Sequence, residues 1–580
     1  MDQCEKRGQW RVAVDLWDQM PQRSLQRSVV SLGSTVSALE RAQHWQDALW
    51  HHCCMREAQP SMTSMITYGS MMSACARQSF WKLAFLTLQE MYLEDVPSEL
   101  SLDAAVRACA SCSQRAHGLA LLWDAEESGA LSNMSATFYL LALARLNLRD
   151  PDILRAALLD VVRDIPTTPQ DLCSSAWSLA SLGVRSPQLL KGIVQQLGDL
   201  KSFTWEALGT LCWSLVSLAV DPLQSLHDLD GDDHWQFMEL LQLEAVQRLN
   251  RAECEVRWGT LGQHLLSMVW ACSLGQALSS RFLCATRNLL SAHGRSRDEN
   301  GAKLPRAESK RSKGRDECQE PLTIPCELPD RLVLFKPPGW EVHDGNLPQQ
   351  LRDALQKWLE AAGSRSITQD SSHSYGFLHL LDVPSSGLVL AAKTYEAFYD
   401  LQIQLAAGRI ARRYVVLAHG WMPRTTQKID AFLWWQGGSP TVAGATGKPS
   451  ATELHCMSRS SASHGGASFS LLRLQIFTGR RHQIRSHLAF KGHPVVHDEI
   501  YSTYHTVGED QLLCTRNFLH RYSLTFDTAR GSPTTVRMPC PADLLTSLKK
   551  VFHGCQPAAA TALRDFLRDG QSHGMIHDDP

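Results

Sequence analysis

Asp382 is the one acid in the apolar stretch LHLLDVPSSG at 378–387. Burying a carboxylate among apolar side chains is unfavourable unless cations or hydrogen-bond donors compensate its charge. Three other stretches offer such partners: FKPPGW at 335–340 carries Lys336, RRYVVLAHG at 412–420 carries Tyr414, and TGRRHQIRSHL from 478 is rich in Arg and His. Together they suit nucleophilic or general-base chemistry beside a phosphate-binding patch.

In this order, the four stretches resemble the RluA-type pseudouridine synthase family. The family motif His-Arg-Leu-Asp, followed by Thr-Ser-Gly, corresponds to 379–382 and 385–387, and its Lys-x-Tyr block corresponds to 412–414. Its TGRTHQIRVHL…GHPIVGD…Y block is matched by TGRRHQIRSHLAFKGHPVVHDEIY at 478–501, and its LHA…L…F by LHRYSLTF at 519–526. The resemblance covers residues 326–550, about 40% of the chain.

This resemblance implies an RNA pseudouridine synthase, which isomerises uridine within RNA and needs neither a metal nor a cofactor. Asp382 would be the catalytic carboxylate, acting as a nucleophile or as a base on the sugar. Arg485 at contact distance would keep that carboxylate ionised. Tyr414 would stack under a uracil that has been flipped out of the RNA.

Further residues of these stretches are expected to contact the substrate or the RNA. They are His379, Lys336, Arg412, Arg480, Arg481, His482 and Gln483. Whether the RNA is ribosomal, transfer or messenger RNA, and which uridine is modified, is left open by the sequence.

Three departures from the family pattern bear on the expected activity. Leu380 stands where the family has the Arg that helps displace and replace the target base; Arg481 replaces a Thr, and His497 replaces a Gly. Asp382, Tyr414 and Arg485 are present, so we expect an active enzyme that is slow or conditional. The alternative is a catalytically weak or inactive RNA-binding or scaffold protein that retains the synthase fold.

The N-terminal half has helical repeats. Trp10, Trp45 and Trp81 recur at spacings of 35 and 36 residues, with Ala in register behind each Trp. Such units cannot bury their apolar faces alone, so neighbouring units must stack into a solenoid. The period resembles pentatricopeptide repeats, which bind single-stranded RNA. The position that would contact a base holds Gly33, Gly69 and Asp103, so base-specific recognition is doubtful and a protein-binding or spacing role stays open.

A second set of repeats surrounds Trp177, Trp213 and Trp270 and resembles octotricopeptide-like arrays less specifically. The predicted architecture is therefore a multidomain chain, with an all-α helical-repeat solenoid followed by an α+β synthase domain that has a mixed or antiparallel sheet. The sequence predicts five segments in chain order. They are pentatricopeptide-like repeats at 1–148, further helical repeats at 149–292, a charged disordered linker at 293–325, the catalytic domain at 326–555 and a tail at 556–580.

Net charge, apolar runs and cysteine spacing narrow the classes of function that the chain can have. The formal net charge of −2 gives no global attraction to nucleic acid, so RNA binding must use local patches. We expect no membrane span, because no stretch approaches 18 consecutive apolar residues. The lone C-x-x-C at Cys109 and Cys112 lacks a second ligand pair, and no metal site is predicted. A monomer is expected. The repeat class suggests a mitochondrion or plastid, although no presequence is visible and Met1 falls inside the first repeat, as if an upstream segment were missing.

Overall fold

The computed structural model describes residues 10–552 with gaps, the longest at 55–67, 128–134, 220–230, 300–321 and 461–467. The chain forms two compact units, Met1–Asp199 and Leu200–Pro580. None of the helices in the described ranges has both the length and the apolar character that crossing a membrane requires. The predicted tail and most of the predicted linker lie outside the described residues.

The first unit contains α-helices and no β-strand in its described part. Its helices are α1 (Trp10–Gln19), α2 (Val29–Arg41), α3 (Trp81–Glu94), α4 (Glu99–Ser111), α5 (Arg115–Glu127), α6 (Ala136–Leu146), α7 (Pro151–Arg163) and α8 (Pro169–Leu182). Side chains of Ser98, Ser135 and Thr168 accept hydrogen bonds from the first free N–H groups of α4, α6 and α8. The helices pack in succession, which confirms the predicted all-α character of the N-terminal part.

The repeat tryptophans of this unit contact histidines about one repeat further on. The Trp10 ring lies 3.9 Å from that of His44, and the Trp81 ring lies 4.6 Å from that of His117. Asp103, one of the expected base-contacting residues, forms ion pairs with Arg107, at 3.1 Å, and with Arg145. Contact of Asp103 with a base would have to break these pairs.

The second unit begins with four helices: α9 (Trp205–Ala219), α10 (Gly231–Asn250), α11 (Trp258–Leu274) and α12 (Ser280–Glu299). The prediction of disorder from residue 293 is wrong at its start, because α12 continues to Glu299. Asp298 accepts hydrogen bonds from the backbone N–H groups of Tyr395 and Glu396, at 2.9 and 3.0 Å, and Arg295 pairs with Glu396 at 2.6 Å. The mixed charges of this segment therefore serve a packed contact between α12 and the catalytic domain.

The prediction also fails at the end of the linker. The Leu322 and Ile324 side chains pack against an apolar cluster, and the Thr323 carbonyl accepts a hydrogen bond from the Phe335 N–H at 2.9 Å. Apolar burial and a backbone hydrogen bond both favour order here.

The catalytic domain has a nine-stranded sheet and flanking helices. Its elements are β1 (Cys326–Glu327), β2 (Arg331–Lys336), α13 (Leu351–Ala361), β3 (Ser386–Ala392), α14 (Tyr395–Ala406), β4 (Ala411–His419), β5 (Gln427–Ile429), β6 (Phe432–Trp434), β7 (Val442–Gly444), β8 (Thr452–Ser460), β9 (Phe469–Ile476), α15 (Gln483–Phe490), α16 (Tyr504–Asp510), β10 (Leu519–Asp527), β11 (Pro533–Arg537) and α17 (Ala542–Val551). The strand order is β1-β2-β3-β10-β4-β9-β8-β5, with β11 beside β10, while β6 and β7 pair separately. Strands β3 and β10 are parallel and the other pairs antiparallel, as the predicted mixed sheet requires.

One row of residues, in register across the four central strands β2, β3, β10 and β4, positions the candidate site. Lys336 on β2 is opposite Gly387 on β3, Gly387 is opposite Arg521 on β10, and Arg521 is opposite Tyr414 on β4. Residues in register on neighbouring strands project from the same face of a sheet, so these side chains share one face. Gly387 has φ +134°, and a Cβ there would lie 2.4 Å from the Arg521 carbonyl oxygen. Only glycine allows this close approach.

Candidate active site

The turn that carries Asp382 is held by groups from β2, from the loop after it and from the segment before β10. The carbonyl of Val383 accepts hydrogen bonds from the Lys336 ammonium at 3.1 Å and the Gly339 N–H at 2.8 Å. The Pro384 carbonyl accepts one from Arg516 Nη1 at 3.1 Å. These donors fix the backbone on the C-terminal side of the carboxylate, which limits the directions in which Asp382 can point.

Arg485 links two carboxylates. Its Nη1 donates to Asp382 Oδ2 at 2.9 Å, while Nε and Nη2 donate to the two oxygens of buried Asp498, both at 2.7 Å. Burial by itself would lower the pKa of Arg485, but the Asp498 hydrogen bonds and the charge of Asp382 raise it above its usual range. The Asp382 side chain is 25% exposed, so the paired carboxylate still faces solvent at the site.

Tyr414 lies on the sheet face that it shares with Lys336 and Arg521, and it is only 3% exposed. Its hydroxyl oxygen accepts hydrogen bonds from Arg521, from Nε at 2.8 Å and from Nη2. The same Nη2 lies 3.4 Å from the Leu380 carbonyl, two residues before Asp382. Arg521 therefore connects Tyr414 to the segment that carries the catalytic candidate.

His482 stands at the start of α15, with φ +49°, and its Nδ1 lies 3.2 Å from the Tyr501 hydroxyl. Burial lowers the pKa of His482, the charge of Asp382 raises it, and that of Arg485 lowers it. The imidazole is thus within electrostatic range of the reactive pair. His482 therefore lies at the candidate site, close to Asp382 and Arg485.

Three of the residues expected to contact substrate or RNA are buried and engaged within the protein. Lys336 donates to the carbonyls of Pro337, Trp340 and Val383, and burial lowers its pKa to about 7. Arg412 donates to the Phe477 carbonyl at 3.2 Å.

Gln483, the third of them, bonds the Thr478 hydroxyl and the backbone of Arg480 and Ala451. The polar groups of all three residues are turned inward and hold the backbone of the site, and their contact with RNA stays a prediction.

Arg480 is also turned toward protein. Its guanidinium carbon lies 4.8 Å from the Trp270 ring centroid on α11, its Nε donates to the Pro449 carbonyl at 3.3 Å, and burial lowers its pKa to about 10. Arg481 next to it is half-buried. Trp270, a tryptophan of the second set of repeats, thus contacts the catalytic domain through Arg480.

His379 has both ring nitrogens buried, without a hydrogen-bond partner among the described residues. Burial, followed by the charges of Arg521 and Arg412, lowers its pKa well below the usual value, so the ring is neutral at pH 7. A buried imidazole without a partner is costly in the free protein. His379 therefore retains unused hydrogen-bonding capacity beside the Asp382 turn.

Sequence reasoning did not single out Asp498, Arg516 or Arg521. Asp498 belongs to the motif at 478–501. Its position after the apolar run PVV could have marked it as a buried acid that needs a partner. Arg521 was visible as a departure from the family's LHA pattern. Nothing local marked Arg516, since its partners, the Pro384 carbonyl and Asp543, are distant in the chain.

The chain is similar to known proteins in both of its parts. A family model described as RNA pseudouridylate synthase matches residues 330–490, and a PPR repeat model matches residues 66–96. The uncharacterized RNA pseudouridine synthase YlyB of Bacillus subtilis is 30% identical over 235 residues, which span 40% of this chain and 73% of that protein. An uncharacterized RNA pseudouridine synthase of Helicobacter pylori (strain J99) is 26% identical over 226 residues, which span 38% of this chain and 68% of that protein.

Among solved structures, human RNA Pseudouridylate Synthase Domain Containing 1 is 24% identical, with a TM-score of 0.31, over 39% of this chain and 86% of its own. The fold and site define an α+β catalytic domain with a paired carboxylate, joined to helical repeats. The chain belongs to the RNA pseudouridine synthase family, as the sequence motifs predicted.

Proposed function

We propose that this protein converts uridine to pseudouridine in RNA and that Asp382 is the reacting carboxylate. The observation that carries the proposal is the 2.9 Å contact between Asp382 and Arg485, with Arg485 itself anchored to buried Asp498. A fixed guanidinium favours the ionised carboxylate, which is the form that the reaction uses.

The reaction balances without a redox partner. The N1–C1′ bond of uridine breaks, and its electron pair goes to the uracil; the base turns, C5 bonds to C1′, and the proton on C5 is lost while N1 gains one. Asp382 acts on the sugar, either as nucleophile at C1′ or as base. Tyr414 faces the base, although its low exposure means that the site must open when uridine enters.

The helical repeats are proposed to bring RNA to the catalytic domain. The PPR match at 66–96 and the synthase family both support RNA binding. The ion pairs of Asp103 with Arg107 and Arg145 disfavour recognition of a base by Asp103.

The test is transcriptome-wide mapping of pseudouridine after incubation of unmodified cellular RNA with the full-length chain. Wild type should create new sites, and Asp382→Asn, which keeps the shape and removes the charge, should create none. Glu453→Gln, on the exposed side of β8, is the matched control and should behave as wild type. New sites that persist in Asp382→Asn would refute the assignment of Asp382.

The second candidate is an RNA-binding or scaffold protein with weak or no catalysis. Two observations favour it: Leu380 replaces the family's base-displacing Arg and is 48% exposed, and Tyr414 is buried. An empty map for wild type across ribosomal, transfer and messenger RNA, with RNA binding retained, would establish this candidate instead.

A further inference from the structure

Arg521 is a buried arginine that the family pattern does not supply. It occupies the Ala position of the LHA motif, is 2% exposed, and lies opposite both Gly387 and Tyr414 in the central row of the sheet. Besides its bonds to Tyr414, its Nη1 donates to the Leu388 carbonyl at 3.0 Å. The guanidinium is thus held on one side by strand β3 and on the other by the tyrosine.

In the hydrogen bonds between Arg521 and Tyr414, Arg521 must be the donor. Arginine has only donors, whereas a tyrosine hydroxyl has one hydrogen to donate and lone pairs that accept. Both lone-pair positions of the Tyr414 oxygen are taken by Arg521 Nε and Nη2. The hydroxyl hydrogen therefore cannot be used toward Arg521 and is directed to another acceptor.

We infer that Arg521 is a positioning residue that makes Tyr414 a hydrogen-bond donor to the flipped uracil and fixes the Leu380 backbone beside it. This inference rests on the proposed function. A donor aimed at a uracil carbonyl stabilises the negative charge that the base carries once the N1–C1′ bond has broken. The hydrogen bond strengthens as that charge develops, so it accelerates the chemical step more than it tightens RNA binding.

The charges around Tyr414 support the same conclusion. In the described part of the chain, the hydrogen-bond acceptors of Arg521 and Arg412 are neutral oxygens, with no carboxylate among them. Burial and the charges of these two arginines lower the pKa of His379 well below its usual value, so its ring is neutral. This side of the site therefore keeps uncompensated positive charge, which favours an anionic base over a neutral one.

The Leu380 contact gives Arg521 a second task. Its hydrogen bond to the Leu380 carbonyl ties the exposed Leu380 to the same guanidinium that orients Tyr414. The chain thus lacks an arginine at 380 but holds this backbone segment with an arginine from strand β10.

The test compares single-turnover rates and RNA affinities for wild type, Arg521→Met, Arg521→Lys, Tyr414→Phe and the double variant Arg521→Met/Tyr414→Phe. We expect Arg521→Met to slow the chemical step about 10- to 100-fold, the effect of one lost charge-assisted hydrogen bond, with less than about a threefold change in the dissociation constant for RNA. Arg521→Lys, which keeps the charge and one donor, should be intermediate. In the Tyr414→Phe background, Arg521→Met should slow the step by less than about threefold, because the hydroxyl on which Arg521 acts is gone.

Val536→Ala, on the neighbouring strand β11 and away from Tyr414, controls for loss of packing and should leave the rate per folded molecule unchanged. The inference is overturned if Arg521→Met has the wild-type rate, or if it slows the step equally with and without the Tyr414 hydroxyl. Either result leaves the proposed function standing, provided that wild type makes pseudouridine and Asp382→Asn does not. Inactivity of wild type refutes the proposed function and, with it, the inference.

Discussion

Arg485→Lys separates charge from geometry at the centre of the site. Arginine uses three nitrogens here, two on Asp498 and one on Asp382. A lysine ammonium is a single point charge and cannot span both carboxylates with this fork geometry. The variant therefore keeps the positive charge but loses the bridge between the two acids.

The expected loss of stability follows from the Asp498 contacts. Asp498 is buried, and hydrogen bonds to buried charged groups contribute about 1.5–3 kcal/mol each, so losing one or two of them should lower the free energy of unfolding by about 3 kcal/mol. The rate of pseudouridine formation should fall at least about 100-fold, because Asp382 loses an oriented cation.

The assay pairs urea unfolding with single-turnover pseudouridine formation per folded molecule. Arg331→Lys is the matched control, because Arg331 is equally buried and bridges Asp330 and Asp400 far from Asp382. It should lower stability and leave the rate of folded protein unchanged. The double variant Arg485→Met/Asp498→Asn should recover most of the stability, since no buried charge is left unpaired, and remain inactive. A wild-type rate in Arg485→Lys or in the double variant would refute this account of Arg485.

The other predictions concern the pH dependence of stability, helices α9 to α12 and residue 380. Burial lowers the pKa of His487 and of His520 to about 4, so the unfolded chain takes up more protons between pH 6.5 and 4. Stability should therefore fall as pH falls through this window, by up to about 1.4 kcal/mol per pH unit for each histidine, and His487→Gln should reduce the slope measured by urea unfolding. Removal of residues 200–299 takes away the hydrogen bonds from the start of α14 to Asp298 and the contact of Trp270 with Arg480. The fragment 322–552 should therefore have a lower melting temperature in calorimetry than the fragment 200–552. Equal melting temperatures would contradict this. Leu380→Arg should speed modification of a uridine in a duplex more than that of a uridine in a short single strand, and equal gains would contradict a role in base displacement.

Much of the catalytic domain could be predicted from the sequence alone. The pairing of Asp382 with Arg485, 103 residues apart in the chain, follows from a resemblance that spans several motifs, and the structure contains it. The all-α first half and the α+β character of the catalytic domain also follow from periodicity and strand-forming runs. These features depend on local patterns, which a single sequence retains.

Side-chain environment could not be obtained in this way. Lys336, Arg412 and Gln483 have the residue types of an RNA-binding surface, yet they point inward, because their burial depends on which strands and loops cover them. The 293–299 segment has the composition of a linker, and only its contact with α14 makes it part of a helix.

Arg521 shows the same limit at the site itself. Its contact with Tyr414 joins positions 107 residues apart through the pairing of β10 with β4, and its approach to Leu380 depends on the parallel pairing of β10 with β3. The sequence determined which candidate catalytic groups this protein has. The tertiary structure decided which of them are open to solvent at the site and which hold the others, because strand register and burial are properties of the packed chain.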